Sequence, residues 1–361
     1  MKRVGLLTSG GDCQALNAVL RGIALGLYRL YGTDGVTLLG FLDGYRGLME
    51  GAYRILTPTD WEGLLTRGGT ILGTSRTPFK RIREPDEQGR DKVERMKSVY
   101  HALKLDGLFV LGGNGSLKTA NLLSGEGLHV IGLPKTIDND LWGTELTFGF
   151  QSAVDAAAEA MDRIRTTAAS HSRCFLVELM GHKAGWLALY AGIAAGADVI
   201  LLPELPYRMD SLLRTLRGRD GHAVLAVAEG ARSVGEAALP KQELKQRRKA
   251  LRKRFPSPTY ALAEALSAQL GTECRVVVPG HIQRGGTPGA WDRVLSSRMG
   301  AYAAGLFRNG EFGTMAALRA GEIVAVPLSE AANRLKTVPP DCDLIVEARL
   351  LGIRFGDELE M

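Results

Sequence analysis

The chain has 361 residues, 45% of them apolar and 23% charged, enough for two domains each with its own core and too apolar for a disordered chain. Four scattered cysteines, Cys13, Cys174, Cys274 and Cys342, show no C-x-x-C spacing, which excludes a disulfide framework or a zinc site as a sequence-level reading and suits a reducing cytoplasm. The net charge of +6 is local: Lys241–Arg254 alone carries +7, and the remainder is −1.

The first elements read as strand, tight loop, helix. Arg3–Thr8 is a short apolar run, too short for a signal-peptide core, and Ser9-Gly10-Gly11-Asp12 breaks it. Leu16, Val19, Leu20, Ile23, Leu27 and Leu30 then recur at helical spacing. The pattern returns twice. Leu108–Leu111 leads into Gly112-Gly113-Asn114-Gly115-Ser116 and a helix, and His129–Leu133 leads into Pro134-Lys135-Thr136-Ile137-Asp138-Asn139-Asp140. A long amphipathic helix follows, with Val154, Ala157, Ala158, Met161 and Ile164 on one face and Asp155, Glu159 and Asp162 on the other. Further strands are expected at Cys174–Leu179, Asp198–Leu202, Ala223–Val227 and Arg275–Val278. Strands alternating with helices predict an α/β protein with parallel sheets, whose ligands gather at the carboxyl ends of the strands. No apolar stretch is long enough to span a bilayer. Lys241–Arg254 has helical spacing, with Leu244 and Leu251 one heptad apart, and reads as a solvated helix on an inserted segment; a nucleic-acid surface is the other reading.

The polar clusters sit where strands end. Gly10-Gly11 and Gly112-Gly113-Asn114-Gly115 can turn backbone N–H groups and a helix N-terminus towards a polyphosphate, or can be plain tight turns; neither matches the P-loop or the dinucleotide fingerprint. Gly68-Gly69-Thr70-Ile71-Leu72-Gly73-Thr74-Ser75-Arg76 combines mobile backbone, hydroxyls and one guanidinium, suited to phosphate oxygens or to a capped turn. Asp138 and Asp140 could divide the work of a base and a metal ligand, or serve as turn and cap residues. Gly280-His281-Ile282-Gln283-Arg284-Gly285-Gly286 offers a His and an Arg that could grip a monoester phosphate, or a histidine that is structural, as a lone His near a strand end more often is.

These segments, in this order, together with Ser170-His171-Ser172-Arg173 and Met180-Gly181, resemble the phosphofructokinase family from Val4 to about Arg298. The resemblance implies two similar three-layer α/β domains with mostly parallel sheets and the active site in the cleft between them. Residues 1–149 with about 283–333 would bind the donor, and about 150–282 with 334–361 would bind fructose 6-phosphate. It implies that Asp138 is the base, with Thr136, Lys135, Gly11 and Arg76 completing the catalytic group. The nucleotide would be held by Gly11, Arg76, Gly113, Asn114, Gly115 and Ser116, and Mg²⁺ by Asn114 and Asp140. The sugar phosphate would meet Asp140, Arg173, Met180, Gly181, His182, Glu229, Arg275, His281 and Arg284. Arg173 and Arg275 match arginines that reach a neighbouring subunit's site, which implies a homotetramer or homodimer. No membrane or nucleic-acid partner is implied.

The donor follows from two positions that point in opposite directions. Gly115, where an Asp would fill the space of a nucleotide α-phosphate, resembles the ATP enzymes, while Lys135 resembles pyrophosphate enzymes. Together they resemble the ATP-dependent members of a mixed-substrate branch, with the pyrophosphate enzyme as the alternative. Asn114 stands where the family generally has an acid, so weaker metal binding is expected, and a catalytically weak regulatory protein is a further alternative. His182 replaces an Arg and Ala15 a Gly of the short bacterial pattern. Arg21 and Arg165 match effector-site positions, but Leu25 replaces a second Arg, so regulation by ADP or phosphoenolpyruvate is not expected.

Overall fold

A computed structural model describes residues 1–86, 89–218 and 221–358. Among them are eleven strands: β1 (Lys2–Ser9), β2 (Val36–Phe41), β3 (Tyr53–Leu56), β4 (Gly107–Gly112), β5 (Val130–Pro134), β6 (Cys174–Leu179), β7 (Val199–Leu201), β8 (Ala223–Ala228), β9 (Cys274–Val277), β10 (Thr314–Arg319) and β11 (Glu322–Pro327). The chain divides into two compact units. The first is Met1–Ser152 with Arg284–Lys336, and the second is Ala153–Gln283 with Thr337–Met361.

The first unit is a seven-stranded sheet in the order β11-β10-β5-β4-β1-β2-β3. Its five inner strands are parallel, and β3 and β11 close the two edges antiparallel. The central strands β1 and β4 are almost wholly buried, which is why they read as continuous apolar runs rather than alternating ones. Strand order reverses between β1 and β4, with β2 and β3 laid down on one side and β5 on the other. Ser9 and Gly112 are register partners at the carboxyl ends of these two strands, so both glycine loops leave the sheet at its topological switch point.

The helix Leu16–Tyr31 packs closely on the helix Ala290–Asn309 through small residues. A Cβ on Gly300 would come within 2.7 Å of the Val19 carbonyl oxygen, and one on Gly26 within 2.8 Å of Ala304 Cβ. The second unit is a four-stranded, all-parallel sheet ordered β7-β8-β6-β9, with its own core around Leu176, Val199, Leu201, Leu225 and Leu266. No helix among the described residues is long and apolar enough to cross a membrane.

Most expected elements form within a residue or two. The strand expected at Asp198–Leu202 is shorter, at Val199–Leu201, and the one expected at Arg275–Val278 forms one residue earlier. The basic segment is helical only over Lys241–Leu251 and buries no residue fully; Leu244, Arg248 and Leu251 are half-buried. Strand β2 and the edges β3, β10 and β11 had no sequence assignment. The hairpin β10–β11 carries the alanine-rich stretch Met315-Ala316-Ala317-Leu318, weak in strand propensity. It turns at Ala320 (φ 49°) and Gly321 (φ 79°), two consecutive left-handed residues as in a type I′ turn.

Asp292 fixes the start of the helix Phe150–His171. Its fully buried carboxylate accepts the backbone N–H groups of Gly149 (2.9 Å) and Ser152 (2.8 Å) and the Ser152 hydroxyl (2.6 Å). The negative charge also complements the helix N-terminus. Asp292→Ala is expected to lower the unfolding free energy by about 3 kcal/mol, since charged hydrogen bonds of this kind are strong and their loss leaves buried donors unsatisfied. Urea denaturation checks this, and Asp292→Asn should lose less.

Candidate functional site

A cavity of about 360 Å³ opens at the carboxyl ends of β1, β4 and β5 within the first unit. Five separated segments meet there: Gly10-Gly11, Arg76–Phe79, Gly113–Ser116, Lys135–Asp140 and Arg284. Every donor-side and catalytic residue expected from the sequence lines it.

The glycine loops are cross-braced by backbone. Gly10 (φ 89°) donates its N–H to the Ser75 carbonyl at 3.0 Å, and the Thr74 hydroxyl donates to the Gly10 carbonyl at 2.7 Å. The Thr8 hydroxyl donates to the Gly73 carbonyl at 2.7 Å, and Asn17 holds the Arg67, Gly68 and Ile71 backbone. The Gly68–Arg76 segment is thereby tied to the first strand–loop–helix unit. A Cβ on Gly11 would lie 2.7 Å from an Arg284 guanidinium nitrogen, so glycine there admits the arginine. Arg284 Nη1 donates to the Asp12 carbonyl at 2.9 Å, while its buried Nε has no partner among the described residues.

The second glycine loop meets a helix directly: Gly113 precedes the helix Asn114–Gly125, whose first N–H groups face the cavity. The first differs, since Leu16 opens the next helix and the Gly10-Gly11 turn stands off its N-terminus. A Cβ on Gly115 would meet nothing within 4 Å, so an acid there would project into open space. Asn114 Nδ2 lies 3.4 Å from the Arg334 carbonyl, a weak contact. Ser116 faces inward and donates to Ser9 Oγ at 2.9 Å.

Lys135 and the two aspartates crowd charge into the end of β5. Lys135 is 3% exposed and its Nζ donates to the Gly11 carbonyl; burial holds its pKa below the usual lysine range. Asp138 is half-buried, with its N–H on Thr136 Oγ1 at 3.0 Å. Asp140 is 7% exposed, and burial followed by the Asp138 charge raises its pKa to about 6.

The turn between the two aspartates is Asn139, in left-handed backbone (φ 50°), a conformation asparagine tolerates. Its amide oxygen accepts the Thr147 N–H at 3.1 Å and Lys336 Nζ at 2.9 Å. Lys336 also donates to the carbonyls of Thr144 (2.9 Å) and Glu145 (2.7 Å), and its own N–H binds the Asp140 carbonyl at 2.9 Å. Burial lowers the Lys336 pKa to about 7, against the opposing pull of Asp140 and Glu145. Neither Asn139 nor Lys336 was singled out in the sequence. Asparagine between two motif aspartates was a usable signal; a lysine almost two hundred residues away was not.

The second unit gathers most of the remaining residues. Met180 N–H donates to Gln283 Oε1 (3.3 Å), Gly181 adopts φ 140°, and His182 (φ 53°) donates its N–H to Glu229 Oε1 at 2.7 Å. Gln283, fully buried, also donates to the Gly280 carbonyl at 3.1 Å and so shapes the turn that carries the exposed His281. Arg173 and Arg275 share one carboxylate, Glu273, each with its Nε 2.9 Å from a different oxygen. The Gly280–Gly286 segment is split by the unit boundary, His281 falling in the second unit and Arg284 in the first.

The phosphofructokinase family profile matches residues 3–307. The chain belongs to the phosphofructokinase family. It is 53% identical to an ATP-dependent 6-phosphofructokinase of Spirochaeta thermophila, over 98% of this chain and 97% of that one. It is 44% identical to the ATP-dependent 6-phosphofructokinase of Propionibacterium freudenreichii, over 98% and 99% of the two chains. Among solved structures, Pichia pastoris phosphofructokinase in the T-state aligns with TM-score 0.76 and 32% identity over 92% of this chain, which spans only 35% of that much longer one. A pyrophosphate-dependent phosphofructokinase of Marinobacter aquaeolei aligns with TM-score 0.76 at 24% identity, over 96% and 88% of the two chains, a likeness of fold. The two-domain α/β architecture of this phosphofructokinase therefore agrees with that expected from the sequence.

The electrostatics of Asp140 have a measurable consequence. Its folded pKa of about 6 lies above the model-peptide value of 3.8, so the stability contributed by its protonated form is complete below about pH 4 and is lost as pH rises through 6. Asp140→Asn should then raise the unfolding free energy at pH 8 by about 2 kcal/mol and change it little at pH 4. Urea denaturation at the two pH values checks the sign.

Proposed function

We propose that this chain is an ATP-dependent 6-phosphofructokinase that transfers the γ-phosphoryl group of ATP to the 1-hydroxyl of fructose 6-phosphate, giving fructose 1,6-bisphosphate and ADP in the cytoplasm. The observation that carries this reading is the meeting, in one cavity, of two phosphate-suited glycine loops, two arginines and the Asp138–Asp140 pair. The names of the Spirochaeta and Propionibacterium relatives support ATP as donor. The open space beside Gly115 supports it physically, because a nucleotide needs room that pyrophosphate does not. The first unit would then bind the donor and the second most of the sugar phosphate.

Asp138 takes the proton of the 1-hydroxyl as that oxygen forms its bond to the γ-phosphorus and the bond to the bridging oxygen of ADP breaks. Thr136 orients Asp138 through its contact with the Asp138 N–H. The Gly11 N–H and Arg76 face the oxygens on which charge develops, with Gly113 and Ser116 shaping the donor side. Lys135, tied to the Gly11 carbonyl, supplies buried positive charge beneath the same loop. Met180, Gly181, His182, Glu229, His281 and Arg284 would hold the sugar phosphate. Arg173 and Arg275 would serve the neighbouring subunit of a homotetramer or homodimer.

The donor set suits Mg²⁺, which usually takes one or two carboxylates plus substrate phosphates and not a full protein cage. Asp140 and the Asn114 amide would hold it, and the raised pKa of Asp140 beside Asp138 marks a place where added positive charge is favourable. Bound there, the ion would neutralise donor phosphate charge during transfer.

Fructose 1,6-bisphosphate formation, measured with ATP and with pyrophosphate over a range of magnesium concentrations, tests the proposal. Turnover is expected with ATP; faster turnover with pyrophosphate would reverse the donor assignment, and none with either would leave the regulatory alternative. Asp138→Ala should lower kcat by about two to four orders of magnitude while fructose 6-phosphate still binds. Asn114→Asp should lower the magnesium concentration needed for half-maximal rate, because a full charge replaces an amide dipole.

A further inference from the structure

Two of the scattered cysteines meet on the second sheet. Cys174 and Cys274 are the first residues of β6 and β9, and the parallel register pairs them directly. Adjacent strands run about 4.8 Å apart, inside the Cα separation of roughly 4.4–6.8 Å that a disulfide accepts. Register partners in a ladder point to the same face, so the two thiols are neighbours across the strand pair.

Their surroundings are unequal. Cys174 is 5% exposed and packs into the core with Leu176 and Leu225. Cys274 is half-buried on the edge strand β9. The neighbouring Cys174 thiol lowers the Cys274 pKa to about 7, while the Cys274 neighbour and burial push the Cys174 thiol up. A half-exposed, acidic thiol beside a buried one is the arrangement of an attacking and a resolving cysteine. A pocket of about 240 Å³ lined by Cys174, Leu216, His222, Leu270 and Thr272 opens on the Cys174 side of the pair. The other two cysteines differ: Cys13 is buried and pushed up to about 12 by burial, and Cys342 precedes the helix Asp343–Leu350.

The opposite face of the same ladder carries Arg173 and Arg275, joined through Glu273. Each arginine is therefore covalently adjacent to one cysteine of the pair. We infer that Cys174 and Cys274 form a reversible dithiol–disulfide modification site, oxidised by a low-molecular-weight disulfide, and that its oxidation weakens fructose 6-phosphate binding through Arg173 and Arg275. The second half rests on the proposed role of those arginines; the first does not.

The chemistry balances as two exchanges. The Cys274 thiolate attacks one sulfur of the oxidant, forming a mixed disulfide and releasing one small thiolate. Cys174 then loses its proton and attacks the Cys274 sulfur, forming the internal disulfide and releasing the second small thiol. Two protein thiols are oxidised and one disulfide is reduced to two thiols. Closing the bond draws the sulfurs to about 2.05 Å and fixes the separation of the two strand ends, and with it the spacing of Arg173 and Arg275 across Glu273. Displacement of a binding group by about 1 Å is enough to cost up to 100-fold in a positioned site.

The full-length protein is treated with glutathione disulfide and followed by intact mass, non-reducing peptide mapping and equilibrium binding of fructose 6-phosphate. The expected result is loss of two hydrogens, a cross-linked peptide pair containing Cys174 and Cys274, and a dissociation constant raised about tenfold, all reversed by dithiothreitol. Cys274→Ser should form no cross-link and keep its affinity after treatment, and Cys174→Ser should trap glutathione on Cys274. A persistent glutathione adduct on wild-type Cys274, a cross-link involving Cys13 or Cys342, or no thiol loss would overturn the site. Cross-linked protein with unchanged affinity would overturn the coupling, as would a reduced protein that binds no fructose 6-phosphate. Absence of turnover with intact binding would instead count against the catalytic proposal alone.

Discussion

The first unit depends on how it keeps two carboxylates, two residues apart, at the end of one strand. Asp138 and Asp140 repel each other, and burial of Asp140 worsens the repulsion, as its raised pKa records. Left alone, such a turn would open towards water or take up a proton. It stays closed because Asn139 is held in left-handed backbone by its own amide, which accepts from Thr147 and Lys336. Lys336 brings a cation to the turn and satisfies the Thr144 and Glu145 carbonyls. One lysine thus supplies both the geometry of the turn and part of its neutralisation.

The glycine loops answer the same problem from the opposite side. Polyphosphate recognition calls for backbone N–H groups facing a cavity, and free backbone at a strand end is mobile unless something braces it. Gly10 is braced by Ser75 and Thr74, and Thr8 by Gly73, so the segment ending in Arg76 cannot move independently of the loop it faces. Positive charge completes the frame: Lys135 lies beneath Gly11, and Arg284 reaches Asp12 through the space a Gly11 side chain would have taken. Negative charge gathers on Asp138 and Asp140, and positive charge on Lys135, Arg284 and Arg76, before any ligand arrives. That is the preorganisation phosphoryl transfer requires.

Much of this was legible in the sequence because it is local. Strand, glycine turn and helix are consecutive in the chain, so β1, β4 and β5 and the loops they launch could be read from apolar runs and punctuation. The edges were harder. The alanine-rich β10 has little strand propensity and exists because β5 and β11 flank it. Long-range pairings left no trace at all: nothing about Lys336 indicates that it meets Asn139, and nothing about Asp292 indicates that it starts the helix after Gly149. Gln283 sat inside a segment that was read for its neighbours His281 and Arg284, although it is the buried amide that shapes their turn.

The cysteines show the same limit with a different outcome. Spacing in sequence argued against a disulfide framework. Spacing could not show that Cys174 and Cys274, one hundred residues apart, are register partners in one ladder. The pleat then makes their position consequential, because successive residues alternate faces. A pair of thiols on one side of β6 and β9 forces the flanking Arg173, Glu273 and Arg275 to the other, where the shared carboxylate keeps two like charges together. Any change in the separation of the two strands at that register must therefore reach the arginines, since no flexible segment intervenes between each cysteine and its neighbour.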